Sequence, residues 1–217
     1  MHPQLSLLEA RILGVLVEKE RTVPDIYPLS LNALTAGCNQ RNNRNPVLNT
    51  SEIDVQAAME RLKPLSLVIE SSGSRVMRYS QNIGRVLKVP SEAVALLAAL
   101  WLRGPQTVAE LRATTERLHR FADVSSVEGF LQQLAERSLE SGGPLVRLLP
   151  RTAGARESRW LDLVSPAADA VNMEPRCEQG VGVSPAPEWR LEIEQLRAEL
   201  QALRERVRLL ENHGPLG

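Results

Sequence analysis

Ser51-Glu52-Ile53-Asp54-Val55-Gln56-Ala57-Ala58-Met59-Glu60-Arg61-Leu62 has the outline of a capped amphipathic helix, and two short segments follow it, Leu67-Val68-Ile69 and Arg75-Val76-Met77-Arg78-Tyr79. Ser51 and Asp54 occupy the reciprocal positions of a capping box, Val55, Met59 and Leu62 share one face, and Pro64 stops the helix. The two segments, joined through Ser71-Ser72-Gly73-Ser74, read as a hairpin. The pattern recurs. Val127, Leu131 and Leu134 match Val55, Met59 and Leu62 at a constant offset of 72 residues. The second copy again runs into an apolar strand, Leu145-Val146-Arg147-Leu148, a turn at Thr152-Ala153-Gly154-Ala155 and a basic-aromatic return, Arg159-Trp160-Leu161.

Upstream of each copy lie a long apolar helix and a shorter one. The first long helix opens at a Ser6–Glu9 capping box and carries Leu8, Ile12 and Val15; after Pro24 and Tyr27-Pro28 the short helix is expected near Leu29 to Cys38. In the second unit Ser91 is the expected cap of a helix with Val94, Leu97, Ala98 and Trp101 on one face, ended by Gly104-Pro105. Thr107 caps a further helix expected to run toward Arg120. The third helix is expected over about Ser125 to Ser138, with Gly129 serving close packing.

Three helices and a two-stranded wing form the winged-helix arrangement, a helix-turn-helix variant best known for reading duplex DNA. The expected fold is therefore mainly α with small β-hairpins (α+β): two tandem winged-helix domains at 1–89 and 90–164, a Pro/Gly-rich linker at 165–187 and a C-terminal coiled-coil helix at 188–212. In that last helix Trp189, Ile193, Leu196, Leu200, Leu203, Val207 and Leu210 keep a heptad register. β-branched residues at two of the a positions, with opposite charges at Glu192–Arg197, Glu199–Arg204 and Arg206–Glu211, favour a parallel homodimer. A single amphipathic helix packed on its own domain is the other reading.

The 217-residue chain has zero formal net charge and 3% aromatic residues, so any electrostatic footprint is local and little material is left for an aromatic-lined cofactor pocket or a base-stacking platform. The local excess is at 39–90, with eight basic against four acidic side chains. Cys38 and Cys177 stand in unrelated contexts and predict a reduced chain without a structural disulfide. No apolar run is long enough to span a membrane, and the first residues lack a basic signal-peptide region; a cytoplasmic protein is expected.

Catalysis finds no constellation. His2, His119 and His213 have no Cys or His at metal-ligand spacing, and no glycine-rich phosphate loop is present, so neither enzyme activity, metal nor cofactor is expected. Basic and amide residues instead gather between the second and third helices and on the wings. The candidate nucleic-acid residues are Asn39, Gln40, Arg41, Asn43, Arg44, Arg75 and Arg78 in the first unit, and Arg112, Arg117, Arg120, Arg151, Arg156 and Arg159 in the second. Arg pairs with guanine edges and Asn or Gln with adenine edges, and all of them can meet phosphate. Against DNA stand the carboxylates of the third helices, Glu52, Asp54, Glu128 and Glu136, which suit helix capping and repel phosphate. The Asn/Arg-rich connector also reads as an ordered turn without a ligand.

Glu9-Ala10-Arg11, Glu18-Lys19, Tyr27-Pro28-Leu29-Ser30-Leu31-Asn32, Cys38-Asn39-Gln40-Arg41, Asn43-Arg44 and Pro46-Val47 resemble the YceH-like family of bacterial proteins. So do Leu102-Arg103-Gly104-Pro105-Gln106-Thr107, Glu110-Leu111-Arg112 and Gly154-Ala155-Arg156-Glu157-Ser158-Arg159, and the match covers about residues 5–164. The resemblance implies a tandem winged-helix fold and supplies no catalytic or ligand residue. Arg41 stands where the family often has Lys, and Asp162 where a His is common. The leading expectation is a dimeric DNA-binding protein of the transcriptional-regulator kind. The alternative is a protein-interaction scaffold, similar to the tandem winged-helix subunits of bacterial chromosome-organising complexes.

Overall fold

The computed structural model describes residues 3–72, 76–151, 154 and 156–165. The linker at 166–187 and the heptad residues Trp189 to Leu210 lie outside the described residues, as does Arg75. What is described is a mixed α+β chain with seven α-helices and two small antiparallel sheets.

Helix α1 (Leu7–Thr22) begins at the expected capping box: Ser6 Oγ accepts from the Glu9 amide and Glu9 Oε2 accepts from the Ser6 amide at 2.6 Å. Residues Glu9 to Val17 are buried without interruption. A helix buried on all sides has neighbours on all sides, and here α1 packs against its own repeat on one flank and the second repeat on the other. Two glycines permit that crowding. A Cβ on Gly14 would sit 2.9 Å from the Leu102 side chain, and one on Gly37 would sit 2.6 Å from Val15 Cγ1.

The chain then forms β1 (Leu29–Ser30), α2 (Leu31–Cys38), α3 (Glu52–Leu62), β2 (Val68–Ser72) and β3 (Met77–Gln81). Leu29 and Ser30 are strand, not the first turn of α2 as expected, because they pair with Tyr79 and Arg78 of β3. Ser30 caps α2 instead, accepting from the Ala33 amide. The sheet order is β1-β3-β2. Ser51 and Asp54 form the capping box of α3, whose Val55, Ala58, Met59 and Leu62 point inward.

After a short helix absent from the sequence expectation, α4 (Ile83–Leu87), the order repeats: α5 (Ser91–Arg103), α6 (Val108–Thr115), α7 (Val124–Ala135), β4 (Val146–Leu148) and β5 (Trp160–Asp162). The correspondence extends to detail. Gln106, just before α6, exchanges backbone hydrogen bonds with Trp160 of β5, as Leu29 pairs with β3 just before α2. Thr107 and Glu110 form the α6 capping box.

Several boundaries differ from expectation. Pro90, not Ser91, is the N-cap of α5, whose cap has no side-chain bond. Helix α7 spans Val124–Ala135 rather than Ser125 to Ser138, and Asp123 caps it. Helix α6 ends at Thr115 rather than near Arg120. Among the described residues Gly129 serves no close packing: a Cβ there would meet none of their atoms within 4 Å.

One contiguous cluster of buried apolar residues runs through both repeats, from Leu5, Leu13 and Leu16 through Leu96, Leu97 and Leu100 to Leu131 and Leu145. The two repeats are thus fused at a common core. Gly104 closes α5 with φ 76°, its amide donating to the Leu100 carbonyl.

Candidate nucleic-acid interface

Between α2 and α3 the connector 39–46 is held from beneath by two buried arginines. Arg11 of α1 donates to the carbonyls of Cys38 (3.2 Å) and Pro46 (2.7 Å). Arg44 donates through Nε to the Gly37 carbonyl, through Nη1 to Glu18 and the Asn43 carbonyl, and through Nη2 to Glu18 and Gln40. All five donors of its planar fork are therefore used inside the fold. Burial, followed by the charge of nearby Arg44, brings the Arg11 guanidinium down to about 10. Burial pushes the Cys38 thiol up to about 12, which makes it an inert core residue.

Asn39 is equally committed. Its amide nitrogen donates to the Thr50 carbonyl and its oxygen accepts from the Thr50 amide, both at 2.8 Å. The connector is an ordered loop clamped at several points. Of the candidate residues on it, Arg41 and Asn43 are exposed, the latter at φ 60°, while Arg44 is buried.

The wing arginines are tied down as well. Arg78 Nη1 donates to the Pro28 carbonyl at 2.8 Å. Arg159 pairs with both carboxylate oxygens of Glu110, at 2.8 and 2.9 Å, and donates to the Pro105 carbonyl. Arg112 donates to the Ala122 carbonyl and Arg120 pairs with Glu116 at 3.3 Å. Arg117, Arg151 and Arg156 are exposed.

Tertiary packing brings some of these residues together with others not singled out from sequence. A cleft of about 200 Å³ is lined by Glu18 and Lys19 of α1, Gln40 and Asn43 of the connector, Arg103 at the end of α5, and Arg117 beyond α6. A second cavity, of about 500 Å³, shares Arg103 and Thr114 with it and continues past Asn45, Gln106 and Glu110 to Arg159. The carboxylates in this groove are neutralised, Glu18 by Arg44 and Glu110 by Arg159. Among the described residues neither Arg103 nor Arg117 makes an ion pair, so the groove keeps excess positive charge. Burial, partly offset by Glu18, lowers the Arg103 pKa, and Arg44 lowers it further.

The chain also matches, over residues 5–155, a family model described as "Protein of unknown function, DUF480". The chain belongs to the DUF480 family. UPF0502 proteins of Leptothrix cholodnii, Cupriavidus necator and Burkholderia ambifaria are 54%, 56% and 55% identical to it over 97%, 96% and 94% of this chain, and over 95%, 83% and 84% of their own lengths. The YceH-like resemblance agrees with this family. In this DUF480 chain many of the residues that carried the resemblance are structural: Arg11, Glu18, Arg44 and Pro46 join α1 to the connector, Asn39 ties the connector to Thr50, and Glu9 caps α1. Glu9 also receives Arg61 Nε at 2.7 Å; burial alone would raise its pKa, but Ser6 and Arg61 hold it below the usual range. Asp162 is buried, its Oδ1 accepting from Trp101, Val164 and Ser165. Lys19 and Arg103 are groove residues that the sequence reading did not name as candidates; both lie inside the quoted motifs, where their signal was present without a place in the fold.

Proposed function

We propose that this DUF480 chain is a cytoplasmic, non-enzymatic DNA-binding protein of the transcriptional-regulator kind. It is read as two winged-helix domains, 1–89 and 90–164, dimerised in parallel through the coiled coil at 188–212, without metal or cofactor. The observation that carries this reading is the groove lined by Lys19, Arg103 and Arg117, which takes residues from both repeats and has its carboxylates already neutralised. Phosphate contacts supply most of the sequence-independent affinity for DNA. Arg41, exposed beside Gln40, extends the basic rim. The doubled order of three helices and an antiparallel hairpin supports the winged-helix assignment. No helix among the described residues is long and apolar enough to cross a membrane.

The test is capture of genomic fragments by the full chain in about 50 mM salt, followed by a salt titration. Binding that falls steeply with salt and is weakened by Arg117→Ala supports the reading; absence of affinity at low salt removes it. A second reading has its own observation. Ile53, on α3 among Glu52, Asp54 and Glu60, is 80% exposed, and Val47 is 56% exposed. An acidic helix with an exposed apolar residue suits a protein partner better than phosphate. A scaffold would show salt-insensitive association with another chain, lost in Ile53→Asp.

A further inference from the structure

The cleft that Glu18, Lys19, Gln40, Arg103 and Arg117 line is rich in unused donors and poor in unused acceptors. Gln40 shows this most directly. Its Oε1 accepts from Arg44 Nη2 at 3.3 Å, which fixes the amide and leaves Nε2 accessible to solvent with no acceptor among the described residues. The guanidinium of Arg103, on a half-buried side chain, is also accessible and without an acceptor among them. Arg117 is exposed, and neither arginine makes an ion pair among the described residues. The acceptors nearby are already engaged. Glu18 Oε1 and Oε2 accept from Arg44 Nη1 and Nη2 at 3.2 and 2.6 Å, with Lys19 Nζ 3.6 Å from Oε2. The hydroxyls of Thr22 and Thr114 donate to the Glu18 carbonyl and to Gln106 Oε1. At the end of α5 the carbonyls of Ala99, Leu100 and Leu102 accept from Gln106, Gly104 and Asn45, so Arg103 is not spent on them.

We infer that this cleft binds the phosphate of a small phosphomonoester, held by Gln40 Nε2, Lys19, Arg103 and Arg117, with its few carbon atoms against Val23 and Leu118. The donors come from α1, the connector, α5 and the stretch past α6, and so approach from several directions. That suits the spread oxygens of a tetrahedral group better than the two coplanar oxygens of a carboxylate. Lys19, Arg44, Arg103 and Arg117 against Glu18 leave a local excess of three positive charges. A monoester carries about −1.5 to −2 at pH 7 and three strong acceptor oxygens, and it matches that excess better than the single charge of a backbone diester. The cleft of about 200 Å³ is smaller than the about 300–1,000 Å³ of sites for drug-sized ligands, so it has room for a phosphate and a short carbon stub, and none for a strand that continues on both sides. The inference rests on the basic groove of the DNA reading and adds its regulation, since a bound monoester takes Arg103 and Arg117 away from DNA.

The experiment titrates the isotope-labelled full chain, at constant ionic strength, with methyl phosphate and separately with dimethyl phosphate, following the Gln40 side-chain amide. Saturable shifts with methyl phosphate, and affinity for dimethyl phosphate weaker by about ten-fold or more, are expected. Variants are compared by calorimetry. Gln40→Glu keeps an oxygen for Arg44 and puts a carboxylate oxygen in place of Nε2; it and Arg117→Gln, a change at an exposed position, should each weaken methyl phosphate by about ten-fold or more. Arg85→Gln, the same loss of charge at an exposed α4 residue that lines neither cavity, should leave it unchanged. No saturable response, or a loss in Arg117→Gln no greater than in Arg85→Gln, overturns the inference. Equal affinity for the two probes also overturns it and assigns the phosphate to a DNA backbone. Duplex DNA is titrated in parallel: DNA bound without methyl phosphate overturns the inference and leaves the DNA reading standing, and methyl phosphate bound without DNA does the reverse.

Discussion

Arg44 Nη2 lies 2.6 Å from Glu18 Oε2, with the arginine side chain wholly buried and the glutamate 18% exposed. This pair fastens the connector to the last turns of α1, beneath a groove in which Arg103 and Arg117 make no ion pair among the described residues. It turns a residue that reads as a DNA contact into part of the scaffold that shapes the groove.

Arg44→Ala takes from Glu18 its close partner, leaving Lys19 at 3.6 Å, and frees the Gly37 and Asn43 carbonyls. Removing one partner of a buried pair costs about 3–5 kcal/mol, and urea unfolding should show a loss of that size. Arg44→Lys should recover only part of it, since one ammonium cannot reproduce five forked donors. A loss below about 1 kcal/mol, as for an exposed pair, would show that the clamp is not what holds the connector.

On the proposed DNA reading, Lys19, Arg41, Arg103 and Arg117 contact phosphate. Each neutralised phosphate adds about 0.9 to the salt slope, so log affinity should fall against log salt with a slope of about −3 to −4. Arg117→Ala should make the slope shallower by about one. Arg78→Ala should leave it unchanged, because Arg78 is bonded to the Pro28 carbonyl. Glu52→Gln should leave affinity unchanged or raise it.

Gly129→Ala should stabilise the protein. Among the described residues the added methyl meets no atom within 4 Å and the backbone is helical, so the substitution removes the cost of a helix-interior glycine, up to about 1 kcal/mol. A rise in melting temperature is the expected outcome; a fall would mean that the position faces a partner.

Burial raises the Asp162 pKa, despite the bonds from Ser165, Trp101 and Val164. A carboxyl raised in the folded state adds stability below the ordinary aspartate value that is lost as pH rises through the folded one. Asp162→Asn keeps Oδ1 as an acceptor and cannot ionise. Its stability relative to the parent should therefore improve as pH rises above the ordinary aspartate range of about 4. A difference between the two proteins that does not change with pH would contradict the raised value.

Deleting residues 188–217 should convert the protein to a monomer by light scattering, if the heptad register makes the dimer. A truncated chain that remains dimeric would move the interface into the described repeats.

Local chemistry made much of this fold readable. The Ser6–Glu9, Ser51–Asp54 and Thr107–Glu110 boxes each pair residues three apart, and all three are formed. Strand Leu29–Ser30 and helix α4 were not readable in the same way. The first is too short to carry a period and exists because β3 lies beside it, and the second is a five-residue segment without a side-chain cap.

The sequence by itself determined the doubled unit, because caps, helical faces and turn residues act over a few positions and repeat at one offset. Only the tertiary structure decided which arginines are free. A guanidinium reaches several ångströms from its backbone, and whether it meets water, Glu18, Glu110 or the Pro28 carbonyl depends on segments up to 50 residues away in the chain. Arg44 and Arg117 are the same residue type in similar polar stretches. One is buried against α1 and the other lines the groove, and that difference comes from packing alone.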